Sequence, residues 1–130
     1  MSKIRIGFIA SLVIASFAIA GTAAAGLVGN TQVTVVSGTS GKGALTAVRN
    51  SADSVQYIGC SRYSYSSGST SAICYARDSS YNYISCSTSN PEHLQVIDSL
   101  NPAAYLYFTV NGSTCDSVIT TLTSYNLPGH

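Results

Sequence analysis

Apolar and polar side chains alternate in short runs over most of the chain beyond residue 30, which is the period of a half-buried strand. Val33 and Val35 share one face of a strand over 31–36. Residues 37–43, Ser-Gly-Thr-Ser-Gly-Lys-Gly, read as a loop or hairpin turn because they are backbone-permissive. Lys42 between two glycines does not make a phosphate-binding loop, since no Gly-Lys-Ser/Thr helix start follows. Further strands are expected over 44–48 and 55–60, with a connection between them. On the second of these, Ile58 and Cys60 share a face. A Ser/Tyr/Gly loop over 61–71 leads to a strand over 72–77, where Ile73 and Tyr75 oppose Cys74 across the sheet. A turn at 78–80 leads to a strand over 81–86.

The period then changes. Asn90 can cap a helix, Pro91 suits its first position and Glu92 suits its first turn. His93, Val96, Ile97 and Leu100 recur at i, i+3, i+4 and i+7, with Leu94 at the edge of that face. Asn101-Pro102 ends the helix. Over 105–110 the alternation returns, with Leu106, Phe108 and Val110 on one face and Tyr105, Tyr107 and Thr109 on the other. Asn111-Gly112 is a hairpin signal, and 115–122 returns as the last strand. The expected fold is a β-rich α+β domain, a mostly antiparallel sheet, sandwich-like or barrel-like, of six to seven strands. One short helix packs on that sheet or plugs its end.

The first 25 residues follow a different rule. Lys3 and Arg5 precede an uncharged apolar stretch, and Ala23-Ala24-Ala25 precedes Gly26. That is the layout of a secretory signal peptide cleaved after Ala25, leaving residues 26–130 as a single exported domain. Cleavage would remove two of the six basic residues and leave four against five acidic ones. So balanced a charge gives no footprint for nucleic acid or an anionic membrane. The destination is the periplasm or the exterior, with no membrane association after cleavage.

In an oxidising compartment Cys60, Cys74, Cys86 and Cys115 are expected to form two disulfides. No Cys-x-x-Cys pair occurs, so neither a zinc site nor a redox dithiol is indicated. Four cysteines allow three pairings. Cys60 and Cys74 fall on strands joined as a hairpin, which favours a bridge between them and leaves Cys86 for Cys115.

The candidate chemistry is thin. His93 lies within the apolar face of the helix and reads as a satisfied, half-buried side chain. No nucleophile-elbow pattern appears, and the acidic residues are scattered. No metal or cofactor is implied. Arg77-Asp78 reads as a local ion pair or turn. Asn111-Gly-Ser113 matches a glycosylation acceptor, although the turn accounts for the same residues. The best functional hint is Arg62, Tyr63 and Tyr65 in the Ser/Tyr/Gly loop. Tyr offers large amphipathic contact at low entropy cost, and Ser and Gly adapt around it. The candidate partners are a protein, a cell-surface glycan or another copy of the chain, since strands with few charges lack the edges that block pairing. The leading expectation is a non-enzymatic binding or structural domain acting through this loop. The alternative is a small secreted hydrolase or hydrolase inhibitor.

With Arg49-Asn-Ser-Ala-Asp53, Cys74-Tyr-Ala-Arg-Asp78, Ser85-Cys-Ser-Thr-Ser89 and Tyr105-Leu-Tyr-Phe108 assembled, the chain resembles a loose group of small secreted bacterial proteins with four similarly placed cysteines. The resemblance covers about residues 45–125. It implies a signal peptide, two disulfides and a bacterial exported location, and it implies no activity.

Overall fold

The structure, a computed structural model, describes residues 32–123. The expected signal peptide and the carboxyl-terminal residues 124–130 lie outside the described residues. Seven strands and two helices follow in the order β1 (Thr34–Val36), β2 (Ser40–Ala44), α1 (Leu45–Arg49), β3 (Tyr57–Ser64), β4 (Thr70–Arg77), β5 (Tyr83–Thr88), α2 (Pro91–Asp98), β6 (Tyr105–Asn111) and β7 (Thr114–Thr121). They form one sheet of order β1-β2-β6-β7-β5-β4-β3. Every neighbouring pair is antiparallel except β5 and β7, which meet in parallel at Ser87 and Thr114. The fold is thus the expected β-rich α+β class, with a mixed sheet that is not closed.

Two segments depart from the pattern expected of them. The expected strand over 44–48 is the short helix α1. Its strand pairing stops at Ala44 because β6 begins opposite it at Tyr105, so residues beyond have no ladder to join. Leu45 and Val48, three apart, satisfy a helical turn as well as a strand, and Val48 is buried. The expected loop over 37–43 contains β2, a strand between β1 and β6. Only the turn at 37–39 remains, where Thr39 N–H donates to the Val36 carbonyl at 2.9 Å.

Glycine hides the alternation of β2. Gly41 and Gly43 point inward while Lys42 points out. A Cβ on Gly41 would lie 2.8 Å from the Ala76 Cβ and 2.8 Å from the Phe108 Cζ. The sheet therefore curls until β2 lies over β4 and β5. The inner residues of β4, Ala72, Cys74 and Ala76, are fully buried and small, which permits that approach. Leu106, Phe108, Ile84 and Val118 fill the space between, and Leu94 and Ile97 of α2 close it. The buried face of α2 thus centres on Leu94 and Ile97, with His93, Val96 and Leu100 at its flanks.

The β5/β7 seam is the thinnest part of the sheet. One register pair and the Ser87 N–H donating to the Ser113 carbonyl hold it. The disulfide Cys86–Cys115 crosses at this place, while Cys60–Cys74 joins directly opposed residues of the β3/β4 hairpin. Two disulfides are the chemistry of an oxidising environment. No described helix is long and apolar enough to cross a membrane.

Candidate functional site

Strand parity assigns the two faces of β3, β4 and β5. Ile58, Cys60, Cys74, Ala76, Ile84 and Cys86 face the core. Tyr57, Gly59, Ser61, Tyr63, Ser71, Ile73, Tyr75, Arg77, Tyr83 and Ser85 therefore share the outer face. Much of this face is solvent-exposed, including Tyr57, Tyr63, Ile73 and Tyr83. Among the described residues neither helix covers this face, so a surface of rings and small hydroxyls stands exposed.

One end of the face is an aromatic and cationic cluster. The Tyr57 and Tyr75 rings meet edge-on at 5.9 Å, and Tyr57 lies 6.5 Å from Tyr83. The Arg77 guanidinium stands over both Tyr57, at 5.2 Å, and Tyr83, at 5.7 Å. Each such contact contributes about 0.5–1 kcal/mol at an exposed site. The Arg77 Nε is buried and has no hydrogen-bond partner among the described residues. Tyr75 stands opposite Gly59, with its hydroxyl 3.9 Å from where a Gly59 Cβ would lie. The Ser61 and Tyr75 hydroxyls are 3.3 Å apart.

The far end carries the loop tyrosines. β3 runs on to Ser64 and β4 starts at Thr70, so only residues 65–69 turn. Tyr65 N–H donates to the Ser69 carbonyl and Gly68 N–H to the Tyr65 carbonyl. Gly68 takes a positive φ of 86°, which only glycine adopts readily. This turn stacks the Tyr63 and Tyr65 rings nearly parallel, 6.4 Å apart, both exposed. Arg62 does not join them. Its side chain leaves the opposite face, pairs with Asp98 of α2 at 3.2 Å and donates to the Tyr63 and Ser71 carbonyls. It ties β3 to α2.

Asp78 builds the turn before β5. Its Oδ1 accepts from the Ser80 and Asn82 N–H groups, and its Oδ2 accepts from Asn82 Nδ2. Desolvation raises the Asp78 pKa, but these bonds from Asn82 and Ser80 outweigh it and hold the group below the usual carboxylate range. Asp78 is thus a turn residue, and its neighbour Arg77 stacks on rings instead of pairing with it. The same turn holds Tyr81 at a φ of 68°, a strained conformation for a side chain of that size, and displays it as one of the most exposed rings.

The remaining candidates have structural partners. His93 Nδ1 lies 2.8 Å from the buried Thr88 hydroxyl, which also accepts the Asn90 N–H. Asn90 in turn caps α2 by accepting from Glu92 N–H. Asp53 accepts from the backbone N–H groups of Gln56 and Val55. Gln56 Oε1 then accepts from Val33 N–H, so the Arg49–Asp53 stretch anchors the start of β1. The backbone and side chain of Gln56, then the Val55 N–H, lower the Asp53 pKa to about 2. A groove of about 650 Å³ lies beside it, lined by Leu45, Arg49, Gln56, Tyr57 and Pro102 among others. Among the described residues no group of three or more His, Cys, Asp or Glu could hold a metal.

Sequence reading pointed to Tyr63 and Tyr65 but missed Tyr57, Tyr75, Arg77, Tyr81 and Tyr83. The opposition of Tyr75 to Cys74 was legible in the alternation of β4, and two residues further it places Arg77 on the same face, but joining them with Tyr57 and Tyr83 needs the register of β3 and β5. Comparison of the chain with protein-family models, with curated proteins and with solved structures gives no match.

Proposed function

We propose that the chain is an exported, non-enzymatic binding domain, delivered to the periplasm or the exterior by its first 25 residues. Its contact surface is the outer Tyr/Ser face that ends in the Tyr63–Tyr65 hairpin, and its target is a neutral glycan. The observation that carries this reading is an open sheet face of tyrosine rings and serine hydroxyls with Arg77 as its one cation. Flat rings cover the apolar faces of sugars, while neighbouring hydroxyls exchange hydrogen bonds with them. A nearly uncharged face suits a neutral chain better than a charged partner.

The test is retention of the exported protein on insoluble neutral polysaccharides, compared with the double variant Tyr63→Ala/Tyr65→Ala. Retention that falls about tenfold or more in the variant, at an unchanged melting temperature, supports the reading. No retention on any polysaccharide overturns the glycan assignment and leaves a protein partner to be sought. Equal retention of both proteins moves the contact away from the hairpin.

A further inference from the structure

We infer that β3 is a pairing edge for a second copy of this chain, with the two β3 strands antiparallel about a twofold axis at Cys60. This rests on strand geometry, independently of the glycan reading. β3 ends the sheet and is eight residues long, whereas the opposite edge, β1, has three.

Alternation fixes which of its backbone groups face outward. Tyr65 N–H bonds to the Ser69 carbonyl, continuing the register in which Tyr63 opposes Ser71 and Ser61 opposes Ile73. Odd-numbered residues of β3 therefore bond to β4. The Cys60 and Cys74 Cα atoms are 4.0 Å apart, the spacing of a pair that exchanges no backbone bonds. The N–H and C=O groups of Ile58, Cys60 and Arg62 thus point away from the sheet, and no described residue accepts from or donates to them. Long edges with such groups are templates for another strand, and β3 has no proline, no bulge and no lysine; its one charged side chain, Arg62, is paired with Asp98.

The sequence of β3 is matched to its own reverse. With the axis at Cys60, Tyr57 falls opposite Tyr63 of the other copy, Ile58 opposite Arg62 and Gly59 opposite Ser61. Two cross-strand aromatic pairs form on the outer face, the kind of pair that stabilises a ladder. Charge selects this register over its neighbour. Here the two Arg62 side chains stand about 13 Å apart along the strands, while an axis at Ser61 brings them to about 7 Å. Each Arg62 also keeps its Asp98. The outcome is one sheet carrying two tyrosine faces side by side.

The experiment is hydrogen exchange by NMR on the disulfide-intact exported chain at about 20 μM and about 1 mM, with an isotope-filtered NOE measurement on mixed labelled and unlabelled protein. The inference predicts that the Ile58, Cys60 and Arg62 amides slow by about tenfold or more at the higher concentration, while Gly59 and Ser61 change little. It also predicts a Tyr57–Tyr63 NOE between copies, which one molecule cannot supply because these residues lie about 20 Å apart along the strand. Gly59→Lys/Ser61→Lys places lysine opposite lysine on the open face and should abolish both effects. Edge amides that exchange at the same rate at both concentrations overturn the inference, whether fast or held slow by the chain's own termini. So does association that survives the double lysine variant.

Discussion

Replacing Gly41 with alanine is a sharp probe of how this sheet is folded. An added Cβ would meet the Ala76 Cβ and the Phe108 Cζ at 2.8 Å and the Ile84 Cγ2 at 3.1 Å. The Ala76 Cβ is fixed to the backbone of β4, and Phe108 is fully buried, so neither can swing aside. Forcing a methyl into such a core costs about 1–3 kcal/mol. The entropy that alanine removes from the unfolded chain offsets about 0.4–1 kcal/mol of that. The net loss is then about 1–2 kcal/mol, a fall in Tm on the order of 10 °C for a domain of this size. The control is Gly59→Ala, whose Cβ meets nothing nearer than the Tyr75 hydroxyl at 3.9 Å. It should melt at or slightly above the wild-type temperature. Thermal and urea unfolding with both disulfides intact would measure the two. If Gly41→Ala is as stable as Gly59→Ala, β2 does not lie over β4, and the curl of the sheet is wrong.

Other outcomes follow from particular contacts. In the chain-entropy model the 14-residue and 29-residue separations of the two disulfides contribute about 3 and 3.6 kcal/mol. Cys86→Ala/Cys115→Ala should nevertheless lower the urea midpoint clearly more than Cys60→Ala/Cys74→Ala, because only the former releases the single-pair seam. Asp53 has a folded pKa of about 2, below its unfolded value of about 3.9. Its contribution is therefore present above about pH 4 and lost as pH falls towards 2, and Asp53→Asn should flatten that part of the acid unfolding curve. Tyr81→Asn relieves a left-handed tyrosine and should raise stability by a few tenths of a kcal/mol or more. If Tyr81 serves the binding face, the same variant should weaken glycan retention.

The legible part of the fold was where side-chain chemistry and period agree. Leu106, Phe108 and Val110 alternate cleanly, and Asn90-Pro91-Glu92 announces α2 at its own first residue. The hidden part was where a residue's role depends on a distant neighbour. Gly41 and Gly43 carry no apolar side chain, so their inward alternation looks like a turn, and only the closeness of Ala76 and Phe108 explains them. Leu45 and Val48 fit either period, and the end of the β6 ladder decides. The Tyr63–Tyr65 hairpin could be read from composition, because its neighbours are local. The Tyr57, Tyr75, Arg77 and Tyr83 cluster could not, because it needs the register of three strands. Arg62 looked like a loop cation and is a brace to α2.

Two disulfides clamp the sheet, one closing the tyrosine hairpin and one closing the β5/β7 seam. Peptide mass mapping of the secreted protein without reduction tests this arrangement most directly. The secreted chain is expected to begin at Gly26, with Cys60 linked to Cys74, Cys86 linked to Cys115 and no free thiol. Free thiols, another pairing or retention of residues 1–25 would contradict it.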